Sequence, residues 1–297
     1  MRAKRQESAR RRSAVARPAP AEGVVRPIQQ GDWNMAYLFP QEVAAARAKI
    51  GLVILPIAPI EWHGPHMTMG CDNLLAHAFA RELARELQCP YYPPLFIGTE
   101  RERPPQMLKS IGFKGDEFIE GMDFPGNSVG SGYYREEVFA AVLRDTLNIL
   151  LGRMGFRRVL IVNGHGAVNQ KEVLERLCSE FNAGVSRGKR VMWVYPGFPA
   201  ALLDQSIGHA DAAEASMLAA GFPECLDLSR LPKGGRLKST AFAIVDGETF
   251  DCSPTRDRTV RVEHDPRKHT DAEQGRKFLA DAVKEVVRKV KRTLLRK

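Results

Sequence analysis

The sequence lacks the features of membrane proteins and of secreted, disulfide-rich domains. None of its apolar runs reaches the roughly 18 to 20 residues that a membrane-spanning helix needs. Its five cysteines form no C-x-x-C pair, and their odd number does not suit a disulfide framework. Residues 1–26 lack the apolar middle segment of a secretory signal peptide. These absences predict a cytoplasmic protein with reduced thiols and no membrane partner.

The basic character of the chain is confined to its two ends. Of the net charge of +9, residues 1–26 contribute eight basic against two acidic residues, and residues 276–297 nine against two. The body between them is therefore acidic overall and shows no basic groove with interleaved aromatics, which argues against a nucleic-acid partner. We expect residues 1–30 to form a disordered basic arm, with a transit-like or nucleic-acid-touching tail as the alternative. Residues 31–297 are predicted to form a single domain that ends in a basic helix.

Apolar runs alternate with segments of helical periodicity along the body of the chain. This alternation predicts the α/β class, with a mostly parallel sheet layered against helices. Residues 99–121 are polar and show no clean period, so we interpret them as an insertion or a lid near the site entrance. The predicted strands cover residues 52–60, 89–98, 157–162 and 191–195, and the predicted helices cover residues 73–87, 136–151, 171–181 and 271–295.

The densest group of metal-competent side chains follows the first predicted strand. Glu61, His63, His66 and Asp72 lie within twelve residues. Ligands of open α/β sheets bind outside the carboxyl ends of the strands, and Glu61 and His63 project to one face in extended geometry. Carboxylates and imidazoles so arranged suit a hard or borderline metal ion. For this segment alone, the alternative is a surface loop.

Two further motifs favour a functional site over that alternative. The sequence N-G-H-G at residues 163–166 follows another predicted strand, and His209 and Glu214 form a third group. Four of the seven histidines fall in these three motifs, and that concentration favours one site. The alternative for His209 and Glu214 is an ordinary helix start with a solvated face. Because they are five positions apart, we expect His209 to precede the helix and Glu214 to lie in its first turns.

In their order and spacing, the three motifs resemble those of the creatininase family of metal-dependent amidohydrolases. They read E-x-H-G-x-H-x(3)-G-x-D, N-G-H-G-x-x-N and H-A-x(3)-E-x-S. Residues 124–128 resemble the family's F-P-G-T-x segment, with Asn127 replacing Thr, and residues 265–275 resemble its D-P-x-x-A-x(3)-G tail. The resemblance spans roughly residues 35–290. It implies a three-layer α/β/α sandwich, a small-molecule substrate and a homo-oligomer, commonly a hexamer.

The resemblance also implies a metal site with two divalent ions per subunit, zinc foremost and manganese or iron as alternatives. It places a shared ligand at Asp72, which would bridge the two ions. Glu61 and His165 would complete one ion, and His63 and Glu214 the other. The resulting set of metal ligands is Glu61, His63, Asp72, His165 and Glu214.

The same resemblance assigns catalytic and substrate-binding positions. His209 is left free to give a proton to the leaving nitrogen, a task suited to a group that titrates near neutrality, and Glu214 shares the catalytic assignment. Cys71 is expected to pack rather than to bind metal, although a thiolate ligand is the alternative, and His77 is expected to be structural. The predicted substrate-binding residues are His66, Ser128, Asn163, Gly164 and Gly166.

Two departures from the family pattern bear on the substrate. The second-metal Glu of creatinine hydrolases is Ala167 here, which leaves open whether one ion or two bind. Their Trp, which closes over the planar ring, is Gln205. Without that aromatic lid we do not expect creatinine as substrate. The sequence therefore predicts hydrolysis of a non-peptide or cyclic amide-type bond, with a formamide or cyclic keto-sugar substrate, cofactor-maturing peptidase activity, or a non-catalytic metal-binding protein as alternatives.

Overall fold

A parallel four-stranded sheet with strand order β2-β1-β3-β4 lies at the centre of the molecule. The computed structural model describes residues 32–110, 113–125, 127–184, 190–195, 209–235, 237 and 265–295. The predicted N-terminal arm and the departure at Gln205 lie outside these residues. Among the described helices, none is long and apolar enough to cross a membrane.

The secondary structure alternates between strands and helices, as the periodicity predicts. The strands are β1 (Leu52–Ala58), β2 (Leu95–Phe96), β3 (Arg158–Asn163) and β4 (Arg190–Val194). The helices are α1 (Pro40–Lys49), α2 (Cys71–Leu87), α3 (Pro105–Ser110), α4 (Glu136–Asn148), α5 (Val168–Gly184), α6 (Ala212–Gly221), α7 (Pro266–His269) and α8 (Ala272–Thr293). A π-helical turn, Ile149–Arg153, continues α4, and short 3-10 turns lie at Met35–Tyr37, Pro223–Cys225 and Leu228–Arg230.

The sheet separates two apolar clusters, which confirms the predicted three-layer α/β/α arrangement. Every residue of β1 is buried, and alternate side chains of a strand point to opposite faces. Leu52 and Ile54 therefore belong to the cluster formed with α2 and α8. Val53 and Leu55 belong to the cluster formed with α4 and α5. Helices cover both faces because each face of the sheet carries apolar side chains.

The register of β1 and β3 brings two of the sequence motifs together. These strands pair in parallel from Leu52↔Arg158 to Ile57↔Asn163, so both run out at the same edge of the sheet. The Gly164 N–H then donates to the Ile57 carbonyl at 2.9 Å. The segments that follow β1 and β3 are consequently neighbours at the carboxyl edge.

The strand predicted over residues 89–98 is wrong for most of its length. Only Leu95 and Phe96 form a strand, because three prolines, Pro90, Pro93 and Pro94, remove the backbone donors that a longer ladder would use. The chain still lies beside β1, since the Tyr92 N–H donates to the Ile54 carbonyl at 2.7 Å.

The segment interpreted as an insertion or lid has structure of its own. It contains α3, and its buried residues Leu108, Phe113 and Ile119 pack with Phe124, which lies just beyond the segment, into a separate cluster. The apolar positions are too few and too irregularly spaced to give a period, although they suffice for a small core. Its role as a lid stays a prediction.

The last helix follows the predicted amphipathic pattern closely. Asp271 caps α8 by accepting from the N–H groups of Glu273 and Gln274, as an N-cap aspartate does. The apolar side of α8 is buried against the sheet and α2. Near its start, Gly275 passes so close to α6 that a Cβ there would lie 2.0 Å from the Ser216 carbonyl oxygen. The backbones of α6 and α8 are therefore closely packed at this point.

Candidate metal centre

Three loops bring five buried acidic and imidazole side chains to the carboxyl edge of the sheet. Glu61 and His63 follow β1, Asp72 lies in the first turn of α2, His165 follows β3, and Glu214 lies in the first turn of α6. All five are buried. This is the set that the family resemblance implies as metal ligands, and the structure places its members within one cluster.

The first group of possible ligands consists of Glu61, Asp72 and His165. One ligand atom from each lies within 4.8 Å of the others. His165 Nδ1 lies 3.0 Å from Asp72 Oδ2 and 3.3 Å from Glu61 Oε2. The three atoms therefore converge on a common point of the kind that a metal ion occupies.

A second group shares Asp72 with the first. It consists of His63, Asp72 and Glu214, again with one ligand atom from each within 4.8 Å of the others. His63 Nε2 lies 3.1 Å from Asp72 Oδ1 and 3.9 Å from Glu214 Oε2. Asp72 thus presents Oδ1 to His63 and Oδ2 to His165, so its carboxylate would be available to both ions if two were bound.

The charges of this cluster are unusual for a protein interior. Burial alone would lower the pKa of His63, yet the adjacent Asp72 carboxylate raises it to about 10. The pKa of His165 is shifted in the same way: burial lowers it, but Glu61 and Asp72 raise it to about 10. Burial raises the pKa of Glu214 to about 8. The two imidazole pKa values show how strongly the carboxylates attract positive charge.

These residues fit divalent metal ions. Within the described part of the chain, the recorded ion pairs of Glu61, Asp72 and Glu214 are all to histidine. With pKa values of about 10, His63 and His165 are protonated at neutral pH and balance the Glu61 and Asp72 carboxylates. An imidazole must lose that proton to bind a metal ion, and the carboxylates would then be buried without a compensating cation, which is very costly. Carboxylate oxygen and imidazole nitrogen are ligands that zinc accepts. A divalent ion would therefore replace the positive charge that the two imidazoles give up when they bind it.

The loop that carries His165 is held by its neighbours. The Asn163 side chain donates to the His165 carbonyl at 2.7 Å and accepts from the Gln170 amide at 2.6 Å. Gly164 passes so close to α2 that a Cβ would lie 2.2 Å from the Asp72 carbonyl oxygen. Only glycine allows this close approach of the loop to the backbone of Asp72.

His209 and Glu214 adopt the arrangement expected from their spacing. α6 begins at Ala212, so His209 precedes the helix and Glu214 lies in its first turn. His209 Nε2 lies 2.5 Å from the Trp62 carbonyl oxygen, and its ring centroid lies 4.0 Å from that of His63. Between them, Ala210 has a positive φ of 58°, and its N–H donates to Glu214 Oε2 at 2.6 Å.

The remaining predicted site residues lie in different surroundings. His66 is buried, and its carbonyl accepts from the Asp227 N–H at 2.8 Å. Gly166 and Ser128 are exposed. The substrate-binding roles proposed for these residues, and for Asn163 and Gly164, stay predictions.

The two residues that sequence reasoning set apart from the metal ligands both have ordinary partners. The Cys71 thiol is buried 3.7 Å from Met67 Sδ, and burial raises its pKa well above the usual range, which favours the packing interpretation. His77 Nε2 lies 3.0 Å from the Tyr91 hydroxyl, and His77 belongs to none of the groups of possible ligands found among the described residues.

Sequence reasoning missed Tyr133. Its hydroxyl donates to Glu61 Oε1 at 2.5 Å, and its ring centroid lies 6.0 Å from that of His165. Tyr133 is seventy-two positions from Glu61 and lies in none of the three motifs. A lone tyrosine in a loop carries no periodic or metal-ligating signal, so only the tertiary structure reveals the contact.

Comparison with known proteins agrees with the predicted family and fold. The family model for creatininase, described as creatinine amidohydrolase, matches residues 36–290. A creatinine amidohydrolase of Pseudomonas putida is 27% identical over 194 residues, which cover 61% of this chain and 68% of that protein. A mutant creatininase of Zn-Zn type has a TM-score of 0.62 at 20% identity, covering 89% of this chain and 98% of that one. A manganese creatininase has a TM-score of 0.62 at 21% identity, covering 88% and 98%.

Fold, site and sequence together define a metal-dependent hydrolase that acts on carbon–nitrogen bonds. The two structural likenesses show a shared fold, and the family match extends over most of the chain. The chain belongs to the creatininase family.

Gly164→Ala tests whether the metal centre depends on the close approach of two loops. The added methyl group would meet the Asp72 backbone, which cannot swing aside as a side-chain tip can. We expect bound metal, measured by elemental analysis, to fall well below the wild-type level. The free energy of unfolding should fall by roughly 1 to 3 kcal/mol, the usual cost of overpacking.

Gly166→Ala is the matched control for that substitution. A Cβ at Gly166 would lie 3.3 Å from the tip of the Tyr195 side chain, which can yield. Metal content and stability of this variant should stay near those of the wild type. Equal metal content in all three proteins would mean that the centre tolerates a shift of the His165 loop.

Proposed function

We propose that the protein hydrolyses a small, non-peptide or cyclic amide-type substrate at a centre that holds two divalent ions. The observation that carries this proposal is the pair of ligand groups that share Asp72 through its two oxygens. Glu61 and His165 would complete one ion, and His63 and Glu214 the other. Zinc is the first candidate metal, and manganese and iron are the alternatives. Such ions activate water at neutral pH and polarise the scissile carbonyl.

His209 is proposed to move the proton. A carbonyl oxygen can only accept a hydrogen bond, so Nε2 of His209, which lies 2.5 Å from the Trp62 carbonyl, carries the hydrogen in the neutral ring. Nδ1 is then the free acceptor, and it lies 3.9 Å from Glu61 Oε2, on the side of the ligands. We propose that Nδ1 takes the proton from the attacking water and passes it to the leaving nitrogen.

The electrostatics of His209 fit this order of events. Burial and the neighbouring His63 lower its pKa to about 4, so at neutral pH the ring is an acceptor before the reaction. The Trp62 carbonyl holds the tautomer and orientation of the ring. The assignment made from sequence, in which His209 donates a proton to the leaving nitrogen, is thereby refined. We propose that His209 first accepts a proton from water and then donates it.

Two departures from the family pattern bear on this proposal. Gln205 stands where creatinine hydrolases have the Trp that closes over the ring, which argues against creatinine as substrate, and Ala167 bears on the number of metal ligands. Ala167, which stands where creatinine hydrolases have a second-metal Glu, is buried and cannot bind metal. The three possible ligands in each group are therefore proposed to suffice. A cyclic amide other than creatinine is our preferred substrate. Formamides and cyclic keto-sugars are the alternative substrates, and the activity panel described below distinguishes them from cyclic amides.

By the same family resemblance, we propose that subunits assemble into a homo-oligomer in the cytoplasm, with a hexamer as the expected state. Sedimentation analysis of the full chain measures this directly. A monomer at all concentrations would contradict it.

Metal content per subunit tests the two-ion centre. We expect about two ions of zinc, manganese or iron in the wild type, because two groups of ligands are present. Asp72→Ala should lose both, since Asp72 belongs to both groups, whereas Glu214→Ala should retain about one. Asp281→Ala and Glu285→Ala remove surface carboxylates of α8 and serve as controls with wild-type content.

A panel of creatinine, other lactams, linear amides, formamides and cyclic keto-sugars tests the reaction with the metal-replete protein. We expect turnover of a cyclic amide that is abolished in Asp72→Ala. A metal-replete wild type that is inert toward the whole panel would contradict the proposed hydrolase and favour a non-catalytic metal-binding role.

His209→Gln separates proton transfer from metal binding. Loss of a positioned general acid–base typically costs about 10²- to 10⁴-fold in rate, so we expect kcat to fall by that factor while metal content stays unchanged. Because His209 also forms a possible ligand group with Glu61 and His63, loss of metal from this variant would instead identify His209 as a ligand.

A further inference from the structure

We propose that Tyr133 is a positioning residue that fixes Glu61 as a metal ligand through one oxygen only. Its hydroxyl would occupy Glu61 Oε1 and leave Oε2 to face the metal centre. This inference rests on the metal centre proposed above, and it adds a residue outside the three motifs that carry the family resemblance.

The two oxygens of Glu61 have distinct surroundings. Oε1 accepts the Tyr133 hydroxyl at 2.5 Å. Oε2 lies 3.3 Å from His165 Nδ1 and 3.9 Å from both His63 Nε2 and His209 Nδ1. Every recorded ion-pair contact of Glu61 with these imidazoles therefore uses Oε2. Tyr133 holds the opposite edge of the carboxylate.

The Tyr133 hydroxyl is fully committed to protein groups. A carboxylate can only accept, so the single hydroxyl hydrogen is donated to Glu61. The hydroxyl oxygen in turn accepts from the Met122 N–H at 3.2 Å. Such a group orients its partner rather than exchanging protons with substrate.

The ring of Tyr133 is held by close packing against Gly121. Gly121 has a φ of +54°, and a Cβ there would lie 2.6 Å from the Tyr133 hydroxyl oxygen. A side chain at this position would therefore both strain the backbone and displace the ring. The Tyr133 ring fits here because Gly121 has no side chain.

The segment that carries Tyr133 is joined to the residues that precede Glu61 and His63. The Gly132 N–H donates to the Ile60 carbonyl at 2.7 Å, and the Trp62 N–H donates to Ser131 Oγ at 3.0 Å. These bonds lie on either side of Glu61. The Tyr133 hydroxyl consequently reaches Glu61 from a segment that is already hydrogen-bonded to the residues on both sides of Glu61.

Groups that orient metal ligands matter for affinity, and their removal typically costs about 10- to 100-fold. The carboxylate of Glu61 is joined to the backbone by flexible single bonds. Without the Tyr133 hydroxyl it would be free to rotate, and Oε2 would then no longer be held facing the metal centre. Because tyrosine is neutral, it orients the carboxylate without adding positive charge that would repel the ions. The expected effect of its loss is therefore on metal binding first.

The test uses Tyr133→Phe in the full chain, with Tyr134→Phe as matched control. Phenylalanine keeps the ring that packs on Gly121 and deletes only the hydroxyl. Tyr134 is the adjacent residue and is 41% exposed. Zinc affinity is measured by competition with the chromophoric chelator 4-(2-pyridylazo)resorcinol, and the thermal midpoint is measured on the metal-free proteins.

We expect Tyr133→Phe to bind zinc about 10- to 100-fold more weakly than the wild type, with a metal-free thermal midpoint close to the wild-type value. Tyr134→Phe should match the wild type in both. Wild-type zinc affinity in Tyr133→Phe would overturn the inference while leaving the proposed hydrolase intact. A wild-type chain that binds no divalent metal would overturn both.

A second variant keeps the test decisive if Tyr133→Phe also lowers the metal-free thermal midpoint. Gly121→Ala leaves both hydrogen-bonding partners in the chain but places a methyl group where the Tyr133 hydroxyl lies. We expect it to weaken zinc binding to a similar degree, because it separates the hydroxyl from Glu61. Wild-type zinc affinity in Gly121→Ala would overturn the inference.

Discussion

The site depends on the burial of Asp72 between two imidazoles. One oxygen of Asp72 lies 3.1 Å from His63 and the other lies 3.0 Å from His165. A carboxylate so deeply placed needs positive charge on both sides, since an unpaired charge in the interior is very costly. The parallel pairing of β1 and β3 meets that need, because it brings the loops bearing the two histidines to the same edge of the sheet.

Much of the surrounding structure serves to hold that arrangement in place. Asn163 and Gln170 hold the turn after β3, and Gly164 lets this turn approach the backbone of Asp72. On the opposite side, the N–H of Ala210 binds Glu214, at the cost of a positive φ. Strained backbone of this kind persists only where neighbouring structure enforces it, and it is concentrated at functional sites.

The proposed metal centre contains two kinds of group. The carboxylates and imidazoles of the motifs can bind metal or carry protons, whereas Tyr133, Trp62 and Asn163 contribute a hydroxyl, a carbonyl and an amide that hold those groups. Trp62 and Asn163 lie within the motifs, whereas Tyr133 lies outside them. Such residues exert their effect through geometry, which explains why the loss of a neutral hydrogen bond is expected to weaken a metal centre built from charged ligands.

The sequence by itself determined the α/β class, most of the helices, and β1, β3 and β4, and its resemblance to the creatininase family supplied the five proposed ligands. Periodic apolar positions and short motifs after strands are local signals, so they survive without tertiary information. Only the tertiary structure decided that β2 is short, that Asp72 offers one oxygen to each ligand group, that His209 Nε2 is held by the Trp62 carbonyl, and that Tyr133 reaches Glu61. These four features depend on contacts between distant parts of the chain or on missing backbone donors. Contacts and missing donors of this kind produce no periodic pattern of apolar residues in the sequence.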